Sequence, residues 1–177
     1  MVSLDRPMPE PMTIKYRGVF DMDGLYKTMQ AWIEDQGYEF HEQFYKHKVP
    51  SPLGQEQEIG WYGWRKMNMY VKFWIYCYFH IWDMKDVEVV KNGEKKKMIS
   101  ARLHVEFRGK VELDWQNMFA GNNFLVSLQH FLNKYVLHKT ITGGWEDEIY
   151  YRIHKLFYVT KEYLNMETVH NASEHRY

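Results

Sequence analysis

Nine histidines and one cysteine are the residues that could hold a metal in this 177-residue chain. A metal needs ligands presented together, as short Cys or His pairs or as two histidines on one helix face. His170 and His175 are five apart, one residue off the spacing that shares a helix face. His41 and His47 fall on one face of an expected strand, but six residues of strand separate them by about 20 Å. Cys77 is the only cysteine, so it can pair with no other in the chain. There is no glycine-rich phosphate loop, no nucleophile elbow, no zinc-type cysteine pair and no kinase signature. "TGGW" at 142–145 precedes an expected helix but lacks the lysine and the spacing of a phosphate loop. No two of the 23 acidic residues are brought by spacing into acid–base geometry. The sequence therefore leans away from an enzyme, and neither cofactor nor metal is expected.

What stands out is aromatic content, 18% of residues, with 14 Tyr, 10 Phe and 7 Trp. Each such side chain covers a large area at low entropy cost, and one small core does not consume so many. Lys plus Arg equals Asp plus Glu at 23 each. That balance excludes a whole-protein field drawing in nucleic acid or anionic lipid, and leaves only local patches. The start, "MVSLDRPMPEPMTIK", has no apolar leader core, so a reducing, cytoplasmic setting with no transmembrane segment is expected. In that setting the sequon Asn171-Ala172-Ser173 carries no meaning.

The aromatics concentrate in "MNMYVKFWIYCYFHIWDM", residues 67–84. Odd positions there are apolar throughout: Met67, Met69, Val71, Phe73, Ile75, Cys77, Phe79 and Ile81. Even positions are Asn68, Tyr70, Lys72, Trp74, Tyr76, Tyr78, His80 and Trp82, each with a polar or charged group. A period of two is a strand, with one face for a core.

Around it the pattern predicts an extended arm over 1–12, a strand over 13–20, and a helix after Asp21 or Asp23 that leaves at Gly37. A strand over 38–49 puts Tyr38, Phe40 and Phe44 on one face. "PSPLGQ" reads as a loop, then "EIGWYGWRK" as a strand, then one long strand over 69–90. Its partner runs to Trp115. Two helices close the chain. The first has the stripe Phe124, Leu125, Leu128, Phe131, Leu132, Tyr135 and Val136. After a break at "HKTITGG", the second has Trp145, Ile149, Ile153, Leu156, Phe157, Thr160 and Leu164. The order β-α-β-β-β-β-α-α is α+β, with a mostly antiparallel five-stranded sheet and three helices. At the level of topology alone it resembles the helix-grip and TATA-binding-protein-like arrangement, which implies a curved sheet gripping a C-terminal helix. Residues 13–166 form one domain, and 167–177 a flexible tail.

The turn between the two long strands fixes which residues meet. A three-residue loop, Lys91-Asn92-Gly93, puts odd opposite odd: Ile81 with Leu103, Phe79 with Val105, Cys77 with Phe107. A two-residue Asn92-Gly93 turn puts core residues opposite charged ones, so hydrophobic pattern favours the longer loop. The even face then pairs Trp82 with Arg102, His80 with His104, Tyr78 with Glu106, Tyr76 with Arg108, and Trp74 with Lys110. A turn at Lys66-Met67-Asn68 would add Tyr62 and Trp64 to that face and set Gly60 beside Trp74.

Four uses of the aromatics compete. The even face can be a lattice that stabilises its own sheet, with cross-strand pairs at roughly 0.2–1 kcal/mol each. It can be an interface for a protein partner or a second copy, since Tyr, Trp and Arg anchor interfaces and twofold dimers are common. It can stack single-stranded nucleic acid, which Glu106, Glu112, Asp114 and the zero net charge oppose. The odd face can instead enclose a small apolar ligand between sheet and helix, lined by Phe73, Phe79, Phe107, Leu156 and Phe157. The sequence reading is a non-enzymatic binding domain. Its contact surface is Tyr62, Trp64, Tyr70, Lys72, Trp74, Tyr76, Tyr78, His80, Trp82, Arg102, His104, Arg108 and Lys110, with carriage or sensing of an apolar ligand as the alternative.

Overall fold

Period-two patterning becomes a meander of long strands. The computed structural model describes residues 5–51, 54–91, 94–119 and 121–166. The histidines at 170 and 175 and the sequon lie outside the described residues, as does the rest of the expected tail. Strands β1 (Arg6–Pro7), β2 (Met12–Phe20), β3 (Glu39–Ser51), β4 (Gly54–Lys66), β5 (Val71–Lys91) and β6 (Glu94–Leu113) make one antiparallel sheet. Strands β3, β4, β5 and β6 lie side by side, and β1 and β2 share the free edge of β6. The sixth strand is the proline-rich arm, expected to be extended. Arg6 and Pro7 pair with Val111 and Lys110, and Met8 N–H donates to the Gly109 carbonyl.

Helix α1 (Met22–Asp35) starts where Asp21 accepts a hydrogen bond from Gly24 N–H at 2.9 Å. It ends before Gly37, whose φ of +75° suits only glycine-like backbone. Leu25, Met29 and Ile33 are its buried stripe. Helix α3 (Asp147–Tyr163) buries Ile149, Ile153, Leu156 and Thr160, the stripe expected for it. Both helices cover the odd face of the sheet. Ile149 and Ile153 lie over Gly109, and Ile33 lies over Gly63. Val71, Phe73, Ile75, Phe79, Ile81, Val105, Phe107 and Val111 are sealed beneath them.

Helix α2 (Asn123–Phe131) is capped by Asn122, which accepts from Phe124 N–H at 2.9 Å. The expected break after it is a run of helical turns instead. Leu132–Val136 and Ile141–Glu146 are wide π turns around a short α turn, His138–Thr140. The two neighbouring glycines, Gly143 and Gly144, fall inside the second π turn.

Four register expectations change. The β5–β6 core register is as expected, from Val71 opposite Leu113 to Trp82 opposite Arg102. Beyond it, Lys91 pairs with Glu94, which leaves two residues between the strands rather than three. A bulge reconciles them: Asp83 and Met84 together oppose Ala101, with Asp83 at φ +56° and held by Arg102 Nε at 2.6 Å. In β4, Gly60 pairs with Tyr78 and Trp64 with Trp74, so the expected Gly60–Trp74 pairing is wrong by four residues of register. The cause is the turn. Asn68 Oδ1 accepts from the N–H groups of Tyr70 and Val71, both at 2.8 Å, and this Asx turn holds Met67–Tyr70 out of the strand. Met69, expected on the core face, is exposed there. In β3 a bulge at Gln43 reverses the faces, so Phe40 packs on core Trp61 while Phe44 lies on the other side against Tyr78. His41 and His47 likewise stand on opposite faces, beside Tyr62 and Gln57. Finally, "PSPLGQ" is mostly strand, since Ser51 already pairs with Gly54.

Candidate functional site: the aromatic face of the sheet

The even-numbered residues of β4, β5 and β6 form the face turned away from α1 and α3. Lys72 opposite Glu112, Trp74 opposite Lys110, Tyr76 opposite Arg108 and Tyr78 opposite Glu106 continue into His80 opposite His104 and Trp82 opposite Arg102. Tyr62 pairs with Tyr76, and Trp64 with Trp74. Twelve of the thirteen residues expected on this surface stand on these strands with the even-numbered set. Tyr70 stands just before the first β5 residue, in the turn, where its hydroxyl donates to Asn133 at 2.8 Å.

Trp74 is the centre. Its ring lies parallel to Tyr76 at 6.0 Å and tilted against Tyr62 at 5.8 Å. Its indole N–H donates to Glu112 at 2.6 Å. Lys72 stands over it at 4.3 Å and Lys110 at 5.0 Å, and the same Lys72 is 4.3 Å from Trp64. Cation–π contacts at such sites contribute about 0.5–1 kcal/mol each. Desolvation against these rings holds the Lys72 ammonium below its ordinary pKa. Burial raises Tyr76 and Tyr78 above the ordinary phenol value.

At the other end of the face the two histidines are not ring to ring. Trp82 lies against both, 3.8 Å from His80 and 6.4 Å from His104. His80 Nε2 is 2.5 Å from Glu56 Oε1. His104 Nε2 is buried and has no hydrogen-bond partner among the described residues. Glu56, Glu58 and His80 bring potential ligand atoms within 4.8 Å of one another, the one such cluster among the described residues. Sequence reasoning missed it because β4 was started too late to contain Glu56. Lys48 Nζ sits 2.7 Å from both carboxylates, so the chain supplies its own cation there. Those hydrogen bonds from Lys48 pull both carboxyls below the usual range.

Between these ends the face is notched. Gly60 has no side chain, and Phe44 lies over it closely enough that a Cβ would clash with the ring. A groove of about 330 Å³ opens there, with Gln43, Phe44, Tyr76, Tyr78, Glu106 and Arg108 in its walls. The glycine was visible in the sequence. The groove was not, because the bulge that brings Phe44 to this face carries no side-chain signature.

No described helix lies across the middle of this face. Helix α2 and the π turn after it meet it at the Tyr70 end, where Gln129 of the helix donates to Asp114 and Asn133 of the turn accepts from Tyr70. The odd-face residues proposed for a ligand cavity lie in the interior. Phe73, Phe79, Phe107 and Leu156 are fully buried, and Phe157 packs edge-on to Phe107. Cavities open at Gly60, at the Asp83 bulge, between the arm and α3, and beside α1, and those five residues line none of them.

The fold and the face define the class: an α+β domain whose helices cover one side of an antiparallel sheet and leave the other as an aromatic surface. A scan against protein-family models matches none, and a search of curated proteins returns no match.

Proposed function

We propose that the protein acts by binding, and that the even face of β4–β6 is its contact surface for a protein partner or a second copy. One observation carries this reading. Trp64, Trp74, Tyr76, Tyr78 and Trp82 run together across the sheet on the side opposite α1 and α3, with Lys72, Lys110 and Arg102 standing over the indoles. Interfaces have this composition, with aromatic anchors at the centre and charge at the rim. The groove at Gly60 gives such a surface a recess for one or two side chains of the partner. The absence of a whole-chain basic excess argues against single-stranded nucleic acid as the occupant.

Molecular mass measured across a concentration series tests self-association. A dimer that Trp74→Glu converts to monomer supports it. A monomer at every concentration leaves a heterologous partner, which a photo-crosslinking residue at Tyr78 would trap inside cells. A monomer that traps nothing and copurifies with an apolar molecule overturns the interface in favour of an interior ligand.

A further inference from the structure

Helix α2 is inside out. In α2 and the π turn that continues it, the two buried residues are polar: Gln129 and Asn133 bond to Asp114 and to the Tyr70 hydroxyl, with Leu125 and Leu132 half-buried beside them. Five of the seven stripe residues that periodicity assigns to a core face outward instead. Phe124 is 70% exposed, Phe131 55%, Tyr135 66% and Val136 59%, with Leu128 between them. Single exposed hydrophobics need no explanation, but a contiguous stripe along one helix does. None of the cavities described above opens on it.

The surrounding charge is one-sided. From Trp115 to Trp145 the sequence has no Asp and no Glu, in a chain where the two signs otherwise balance. Lys134 and Lys139 are exposed in that stretch, as are His130 and His138. Lys134 lies 5.3 Å over the Tyr135 ring, at the border of the stripe. A second copy packed on this face would bring a second set of lysines to the contact and no acidic side chain from this segment to pair them. An anionic surface would meet them with the opposite sign. No described helix is long and apolar enough to cross a membrane, so the geometry is that of a helix lying in the surface.

We propose that α2 docks the protein onto an anionic lipid surface, with Phe124, Leu128, Phe131 and Tyr135 entering the headgroup–acyl boundary and Lys134 and Lys139 meeting the headgroups. This surface is separate from the aromatic sheet face.

Cosedimentation of the full chain with vesicles tests it, using phosphatidylcholine alone and phosphatidylcholine with phosphatidylglycerol. The protein should partition into the anionic vesicles and not the zwitterionic ones, and raised salt should release it. Phe124→Asp with Phe131→Asp should lower the partition coefficient at least tenfold. Lys134→Glu should lower it by about fivefold or more. These side chains are exposed, so circular dichroism should be unchanged. Three results would overturn the proposal: no partition into anionic vesicles, partition that the double Asp variant retains, or a mass in solution that drops in the double Asp variant without vesicle binding. The last would make the stripe a dimer contact.

Discussion

Gln129 Nε2 donates a 2.9 Å hydrogen bond to Asp114 Oδ2, and that bond joins the middle of α2 to the end of β6. Asp114 also accepts from Met118 N–H at 2.7 Å, and it sits at φ +55°, where Asp and Asn are tolerated better than most residues. One buried carboxylate therefore turns the chain out of the sheet and orients the helix that follows. Asp114→Ala removes these bonds and leaves the Gln129 amide buried without its acceptor, at a cost of about 1–3 kcal/mol. Hydrogen exchange should rise across 123–136 and stay unchanged in the middle of β5. Equal loosening of both would mean that α2 is held by something other than Asp114.

Neighbouring residues on opposite faces should behave oppositely. Phe73→Glu buries an unpaired charge and should unfold the domain. Trp74→Glu should fold, with a thermal midpoint only modestly lowered, and lose about 2–4 kcal/mol of binding through the aromatic face. Thermal denaturation and a mass measurement on both variants decide it. Trp74→Glu as unfolded as Phe73→Glu would make the even face a second core layer. Trp74→Glu that folds and associates like the parent would make it only a stabilising lattice.

At Gly109 the side chains of α3 lie directly against the sheet backbone. A Cβ there would meet Ile153 and the Met8 sulfur, from the helix and the arm respectively. Gly109→Val should cost about 1–3 kcal/mol by overpacking, read as a lower urea midpoint. Combining it with Ile153→Val should recover part of that loss, because the two changes share one space. No recovery would place the strain elsewhere.

The Lys48–Glu56–Glu58 cluster predicts the shape of the acid limb. The folded carboxyls titrate below their ordinary value because Lys48 donates to both. A lowered folded pKa contributes stability above the unfolded pKa, near 4.5, and that contribution disappears as pH falls through the folded one. Between pH 5 and 3 the parent should therefore lose stability more steeply than Lys48→Met. Parallel curves would mean that the bridge contributes nothing.

The fold was legible wherever one face of an element had to be buried. The odd-residue run Val71–Ile81 dictated the β5–β6 register, and Ile149, Ile153 and Leu156 dictated the face of α3. Two kinds of feature were not legible. The bulges at Gln43 and Asp83 reverse or reset the faces without a side-chain requirement, so Phe44 was assigned to the wrong face and the Asn92-Gly93 turn was read one residue too long. Choosing between turn chemistry and hydrophobic pattern was a false choice, because the bulge satisfies both. In α2 the period gave the stripe but not the direction it faces. Gln129 and Asn133 were the available signal, being two amides four residues apart on the side opposite Phe124 and Phe131.

The sheet order also has a kinetic side. Strands β3, β4, β5 and β6 are consecutive, so the meander can zip outward from its hairpins with short loops to close. Strand β2 cannot, because Met12 must find Phe107 and Phe20 must find Ile99 across about half of the chain. Closures over such sequence separations are slow. Until this one happens, the edge of β6 from Ile99 to Phe107 is unpaired. During synthesis, the N-terminal strand and α1 emerge first and wait for their partner until β6 leaves the ribosome.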